Sequence, residues 1–174
     1  MLVLTTGLAP PALAQSACSS DGQARPVALL ERFISADCSD CWRAAATPRA
    51  RQGTVALDWV LPGRQGEDAP LSAVASRDGL KRLQALGLTP PATSSSQTQA
   101  LAPQGRLRVA HGLPVSGYVG ASIELRRLRT GVAAPLSAWL ALVETLPAGT
   151  EGSHVARNLV RNVLQPSWDG REQL

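Results

Sequence analysis

Two cysteines separated by two residues, in the Cys-Ser-Asp-Cys segment at 38–41, constrain the fold more than any other feature. They come directly after the apolar run 27–34, which is bounded by turn-forming residues and has the length of a strand. The alanines that follow the pair favour a short helix, which Pro48 ends or kinks. A second apolar run, 54–61, predicts a largely buried strand. The predicted order is therefore strand, cysteine pair, helix, strand.

The spacing of Cys38 and Cys41 permits a disulfide across one helical turn, which is a common arrangement for thiol chemistry. The unpaired N–H groups at the start of a helix favour a thiolate, so Cys38 is the candidate nucleophile. Cys41 is the candidate resolving thiol, which attacks a mixed disulfide and releases the partner. Asp37 and Asp40 add negative charge near the thiolate and oppose its formation. We therefore expect a reducing or a structural disulfide in preference to a strong oxidant.

Two other interpretations of the pair stay open. Half of a zinc site would need more ligands, and the remaining candidates, Cys18, His111 and His154, form no second pair at ligand spacing. An inert local disulfide is the other alternative, although closing so short a loop contributes little through chain entropy. No metal and no organic cofactor is expected. Cys18 is left over, either as a free thiol, as an intermolecular partner, or as a group that exchanges with the pair.

The composition indicates a folded protein, because 44% of the residues are apolar and 17% are charged. With 174 residues the chain has room for one domain, or for one domain with a small appendage. The net charge of +4 is carried by scattered arginines without interleaved aromatic residues. Nucleic-acid binding is therefore not expected.

The first residues have the pattern of a signal peptide. Residues 1–14 are uncharged and largely apolar, and they end in Ala-Leu-Ala before a polar stretch, although they lack the usual positively charged start. A buried N-terminal strand is the alternative, which Pro10 and Pro11 disfavour. No later stretch approaches the roughly 18 apolar residues of a membrane span. We therefore expect an exported protein, periplasmic or secreted, whose mature chain is soluble.

The remainder of the chain divides into a helix, a loop and several strands. Residues 71–86 place apolar side chains on one helical face and end at Gly87. Residues 89–104 are rich in Pro, Ser, Thr and Gln and predict an exposed loop. A small antiparallel sheet is predicted downstream, although helical spacing also fits part of its third strand; its candidate strands are 107–110, 118–129, 138–144 and 155–164.

Several of these segments resemble the secreted thioredoxin-like proteins grouped as domain of unknown function 1223. The strand and cysteine pair at 27–41 match that family, as does the Asp-Trp pair at the end of the second strand. The C-terminal half matches in the same order, through the segments 139–144, 151–161 and 168–170. The resemblance implies an α/β fold in an exported bacterial protein. Its thioredoxin-like domain would span 26–104, with a C-terminal β-rich region at 105–174 packed on it.

The resemblance also assigns candidate binding residues. Thioredoxin-like folds place a cis-proline against the cysteines, and Pro90 after Thr89 is the best match, although the residues after it make a poor strand. Sheet geometry, and not the resemblance, adds Asp58 and Trp59, because residues toward the C-terminal end of a strand in an open α/β sheet face the ligand crevice and are candidates for lining the site. The alternative for these two is a core tryptophan beside a solvated aspartate. The family commonly has prolines directly after the second cysteine, where this chain has Trp42.

Two functions are consistent with these patterns. The first is an exported thiol–disulfide oxidoreductase that acts on protein or small-molecule thiols through Cys38 and Cys41. The second is a non-catalytic binding or assembly module that keeps the scaffold and uses the disulfide for stability.

Overall fold

The computed structural model describes residues 17–102, 105–127 and 138–165. The chain forms two compact units. Of the described residues, 17–23 and 105–127 belong to the first unit, and 24–102 and 138–165 belong to the second. The predicted signal peptide at 1–14 and the matched segment at 168–170 lie outside the described residues.

Eight strands and two α-helices lie within the described residues, so the predicted mixed α/β class is confirmed, with more sheet than helix. In chain order they are β1 (Cys18–Ser19), β2 (Ala28–Ser35), α1 (Ser39–Arg43), β3 (Thr54–Leu61), α2 (Arg77–Ala85), β4 (Ser94–Ala100), β5 (Gly105–His111), β6 (Ala121–Arg127), β7 (Leu140–Leu146) and β8 (Arg157–Leu164). None of the described helices is long and apolar enough to cross a membrane.

The second unit is built on a five-stranded sheet with the order β4-β2-β3-β8-β7. Strand β3 runs parallel to both β2 and β8, whereas the outer strands β4 and β7 are antiparallel to their neighbours. Strands β2 and β3 pair along their whole length, with no offset in register. A parallel strand that is covered on both faces usually has a mostly apolar sequence. The bounds of β2 and β3 were therefore predicted closely from their sequences.

Both faces of this sheet are covered by apolar side chains. One face packs around Ile34, Val60 and Trp42, on the side of helix α1. The other packs around Phe33, Trp59 and Leu83, on the side of helix α2. Because side chains alternate along a strand, neighbouring residues of β2 and β3 contribute to different cores.

The two helices begin and end elsewhere than the sequence predicted. Helix α1 ends at Arg43, so the alanines that favoured a helix follow it instead of forming it. The helix predicted over 71–86 is divided into a 3₁₀ turn at Ser72–Val74 and helix α2. Ser76 causes the division, because its backbone is extended and its hydroxyl accepts a hydrogen bond from the Asp78 N–H at 3.1 Å.

Strand β4 lies in the segment that was predicted to be an exposed loop. It pairs with β2 through seven registered residue pairs at the edge of the sheet. Its side chains are mostly exposed, so polar residues are tolerated there. Backbone pairing with β2, rather than local propensity, decides its structure.

The first unit contains a three-stranded antiparallel sheet with the order β1-β5-β6. Asp21 pairs with Arg108 across this sheet at 2.8 Å. Strands β7 and β8 instead extend the sheet of the second unit. The strands predicted downstream of residue 104 therefore do not form one sheet: β5 and β6 belong to the first unit, and β7 and β8 belong to the second.

Candidate functional site

The cysteine pair forms a disulfide at the start of helix α1, three residues after strand β2 ends. Cys38 and Cys41 are half-buried, and their Cα atoms are 5.3 Å apart. Cys38 is the N-cap residue of α1, and its Sγ accepts a hydrogen bond from the backbone N–H of Cys41 at 3.2 Å. The spacing predicted from the sequence is thus used as a local cross-link, with an N–H group directed at the first sulfur.

The two acidic neighbours of the pair, Asp37 and Asp40, have hydrogen-bond or ion-pair partners outside the two cysteines. The carboxylate of Asp37 accepts hydrogen bonds from the backbone N–H groups of Arg64 at 2.7 Å and Gln65 at 3.2 Å. The Asp40 side chain is 91% exposed and pairs with Arg43 at 2.6 Å. Backbone donors stabilise the Asp37 carboxylate and Arg43 offsets the charge of Asp40, so the two aspartates oppose a thiolate at the cysteines less than was expected.

Trp42, the residue after the second cysteine, attaches helix α1 to the sheet. Its ring is buried, and its Nε1–H donates to the backbone carbonyl of Glu151 at 2.7 Å. The Arg157 guanidinium lies over the ring at 4.9 Å from its centroid, in cation–π geometry. The residue that follows Cys41 is therefore fixed by both a hydrogen bond and a buried cation.

Below helix α1 lies a buried charge cluster formed by Asp58, Arg32 and Arg157. The Asp58 carboxylate accepts from Arg32 Nη2 at 2.6 Å, from Arg157 Nη1 at 3.0 Å and from the backbone N–H of Asn158 at 2.8 Å. Residue exposure is 0% for Asp58, 0% for Arg157 and 3% for Arg32. Two guanidinium groups thus share one carboxylate in the interior.

Arg157 connects this cluster to the cysteine helix. Its Nη2 donates to the backbone carbonyl of Trp42 at 2.7 Å and lies 3.4 Å from that of Cys41. Its Nε donates to Ser153 Oγ at 2.9 Å. Burial lowers the pKa of the guanidinium and the nearby charge of Arg32 lowers it further, while Asp58 acts in the opposite direction. The position of the second cysteine therefore depends on a buried cation.

Asp58 and Trp59 were predicted to line one site, but they face opposite sides of the sheet. Asp58 lies on the side of helix α1, in the charge cluster. Trp59 is buried on the other side, where it stacks on Phe33 at a centroid distance of 6.2 Å and donates to Glu31 Oε1 at 3.2 Å. Of the two, only Asp58 shares a face with the cysteine pair.

Glu31 forms a second buried ion pair on the side of helix α2. Arg82 donates to its two carboxylate oxygens through Nε and Nη2, each at 2.8 Å. The Arg82 side chain is partly exposed and lies over the Trp139 ring at 5.5 Å from its centroid. This pair is balanced in charge, unlike the cluster around Asp58.

Pro90 does not supply the predicted cis-proline. The described residues contain no cis peptide bond, so the bond between Thr89 and Pro90 is trans, and Pro90 is exposed. The backbone beside the end of β2 comes instead from Thr93, whose carbonyl accepts from the N–H of Ser35 at 2.7 Å. The chain reaches this position without a proline.

A cavity of about 300 Å³ opens beside the cysteine pair. Cys41, Arg32 and Arg157 contribute to its wall, together with the loop that follows helix α1. The serines of strand β4, Ser94–Ser96, close another side. No sequence pattern indicated this cavity, although the arginines within the apolar segments of β2 and β8 were a visible signal of a buried charged group.

The other candidate ligands remain apart from the pair. Cys18 is exposed on strand β1 and forms no disulfide within the described part of the chain. Among residues 17–102, 105–127 and 138–165, no group of three or more His, Cys, Asp or Glu side chains is arranged to hold a metal ion.

Comparison of the chain with family models, with curated proteins and with solved structures found no match.

Proposed function

We propose that this protein is an exported thiol–disulfide exchange protein with a thioredoxin-like fold, related to the secreted family that its sequence resembles. The observation that carries the proposal is the position of the disulfide. Cys38 and Cys41 lie in the chain segment that connects the parallel strands β2 and β3, at the start of helix α1. A Cys-x-x-Cys segment in a strand-helix-strand unit is typical of thioredoxin-like redox proteins.

The exchange reaction follows from the two cysteines alone. In the reduced protein the Cys38 thiolate attacks a sulfur of a substrate disulfide, forming a mixed disulfide and releasing one substrate thiolate, which takes up a proton. The Cys41 thiolate then attacks Cys38 Sγ, and the second substrate thiolate leaves. Two electrons pass from the protein to the substrate, and the Cys38–Cys41 disulfide forms. The reverse sequence oxidises a substrate dithiol.

The surroundings of Cys38 support its role as the attacking sulfur. The Cys41 N–H is directed at Cys38 Sγ, and a donor so placed stabilises a thiolate. Asp37 is held by backbone donors of the 64–65 segment. The two aspartates therefore destabilise a Cys38 thiolate less than their charges alone would suggest.

The proposed location agrees with this chemistry. Disulfides persist in oxidising compartments such as the bacterial periplasm, and a signal peptide at 1–14 would direct the chain there. Protein thiols and small-molecule thiols are both available as partners in such a compartment.

A non-catalytic module is the second candidate function, and the attachment of helix α1 favours it. Trp42 and Arg157 hold the residues around Cys41 through a hydrogen bond, a cation–π contact and backbone contacts. A disulfide in so fixed a segment serves to stabilise a binding scaffold. The two functions differ in whether the pair can be opened by a thiol.

Trapping of mixed disulfides tests the proposed function. Cys41→Ser and Cys38→Ser are each prepared in a Cys18→Ser background, reduced, and mixed with an oxidised peptide, and the adducts are followed by mass spectrometry. We expect Cys41→Ser to accumulate the adduct at least about tenfold faster, since the thiolate fraction sets the rate. Equal slow rates in both variants would overturn the exchange function and leave the structural disulfide.

A further inference from the structure

The charge cluster below helix α1 is not balanced. Arg32 and Arg157 each carry a positive charge, and Asp58 supplies one negative charge to both. No acidic side chain contributes to the wall of the adjoining cavity within the described residues. A buried charge without a partner is costly, so one positive charge at this place calls for an anion.

Arg32 also has an unused donor. Its Nη1 donates to the backbone carbonyl of Pro48 at 2.9 Å, and its Nη2 contacts Asp58 and the carbonyl of Ala156. Its Nε–H is buried and has no hydrogen-bond partner in the described part of the chain. Buried donors are almost always satisfied in folded proteins, so the guanidinium of Arg32, which is 3% exposed, has donor capacity that the described protein groups leave unused.

The cavity beside Arg32 suits a small acceptor. Its volume of about 300 Å³ is at the lower limit for small-molecule sites. Ser96 is the cross-strand partner of Arg32, and with Ser94, which lies on the same face of β4, it offers hydroxyl donors on the cavity wall. Guanidinium groups and hydroxyls together are the donors that recognise a carboxylate.

We propose that this cavity binds the carboxylate of a small anionic thiol or disulfide. Cys41 shares the cavity wall with the two arginines, so a ligand held there by its carboxylate places its sulfur near the cysteine pair. The sulfur chemistry rests on the proposed exchange function, whereas the carboxylate binding does not. The overall reaction is oxidation of the reduced pair by the anionic disulfide, which yields the protein disulfide and two anionic thiols.

Binding of the carboxylate alone is tested first, with propionate as the probe on the full-length disulfide form. Propionate is titrated while chemical shifts of the Arg32 and Arg157 side-chain N–H groups are followed by NMR. Ser96→Asp puts a carboxylate opposite Arg32 and fills the site, so it should abolish the propionate response.

Ala100→Asp is the matched control. It adds the same charge to the same face of β4, four residues away, and lies outside the cavity wall. That separation is about 13 Å along a strand, beyond the screening length of about 8 Å at physiological ionic strength. Propionate should shift these signals in wild type and in Ala100→Asp equally. No response in wild type, or an unchanged response in Ser96→Asp, overturns the carboxylate site.

The ligand class is tested with three disulfides of similar size. Dithiodipropionate is anionic, bis(2-hydroxyethyl) disulfide is neutral and cystamine is cationic. Rates of oxidation of the reduced protein are measured for each and divided by the rates with dithiothreitol, which corrects for intrinsic reactivity. We expect about a tenfold preference for the anionic over the neutral disulfide, with cystamine slowest, and loss of the preference in Ser96→Asp.

The outcomes separate the two proposals. Fast exchange without a charge preference overturns the assignment of the ligand as an anionic thiol or disulfide and supports the exchange function. Propionate binding without exchange of any of the three disulfides overturns the exchange function, and with it the thiol class of ligand. Propionate binding together with preferred oxidation by dithiodipropionate supports both.

Discussion

Replacing Asp58 with asparagine tests the buried charge cluster on which the site depends. Asp58 is fully buried and accepts hydrogen bonds from Arg32, Arg157 and a backbone N–H. In Asp58→Asn one acceptor oxygen remains, an NH₂ group faces a guanidinium, and both arginines lose their counter-charge. Removing one partner of a buried ion pair costs about 3–5 kcal/mol.

The loss is large compared with the stability of a domain, which is typically about 5–15 kcal/mol. With a urea dependence of about 2 kcal/mol per molar, the midpoint of urea unfolding should fall by about 2 M. Equilibrium unfolding followed by tryptophan fluorescence measures this, because Trp42 and Trp59 are both buried in the second unit.

Two controls bracket the effect. Glu31→Gln removes a buried carboxylate that serves only one guanidinium, that of the partly exposed Arg82, so we expect a smaller loss of about 1–3 kcal/mol. Asp78→Asn breaks the exposed pair with Lys81 and should cost at most about 1 kcal/mol. If Asp58→Asn lowered the midpoint no more than Asp78→Asn, the account of the charge cluster would be wrong.

Three further predictions concern local contacts. Trp42→Phe keeps an aromatic ring but removes the indole N–H that the Glu151 carbonyl accepts, together with part of the buried ring, so the free energy of unfolding should fall by at least about 1 kcal/mol, and an unchanged urea midpoint would contradict this. Arg108 holds the pKa of Asp21 below its ordinary value through a hydrogen bond, so NMR titration should show that pKa rising in Arg108→Gln; no rise would refute the pairing. A Cβ on Gly63 would collide with the Asp37 carboxylate, so Gly63→Ala should destabilise by about 1–3 kcal/mol, and Asp37→Ala should remove most of that cost.

The sign of the Asp21 effect on stability follows from the depressed pKa. The pair with Arg108 stabilises the folded state above the ordinary carboxyl range and is lost as pH falls through the folded-state pKa. Acid unfolding of Arg108→Gln should therefore depend less on pH in that range than acid unfolding of wild type.

The parts of the fold that the sequence predicted well are those with strong local patterns. Strands β2 and β3 are mostly apolar, interrupted only by Glu31 and Arg32 in β2 and by Asp58 in the apolar part of β3, and β3 has the predicted bounds. The spacing of Cys38 and Cys41 favoured a disulfide over half of a zinc site, and the structure has that disulfide. Strand β4 was missed because its polar side chains carry no strand pattern and its pairing with β2 is a tertiary effect.

The candidate site was less predictable because its partners are distant in sequence. Arg157 and Asp58 are separated by 99 positions in the sequence, and no local pattern around either residue indicates that they form a pair. The period-two alternation of a strand implied that Asp58 and Trp59 face opposite sides, yet their adjacency suggested one site. An arginine within an apolar strand was the available signal, since such a residue is rarely buried unless it is paired.

The reduction potential of the Cys38–Cys41 pair, measured against a glutathione or dithiothreitol buffer together with turnover in insulin reduction, tests the central proposal most directly. An exchange protein should have a potential above about −300 mV and should reduce insulin catalytically, with turnover lost in Cys38→Ser. A potential below about −300 mV without turnover would contradict the account and identify the disulfide as structural.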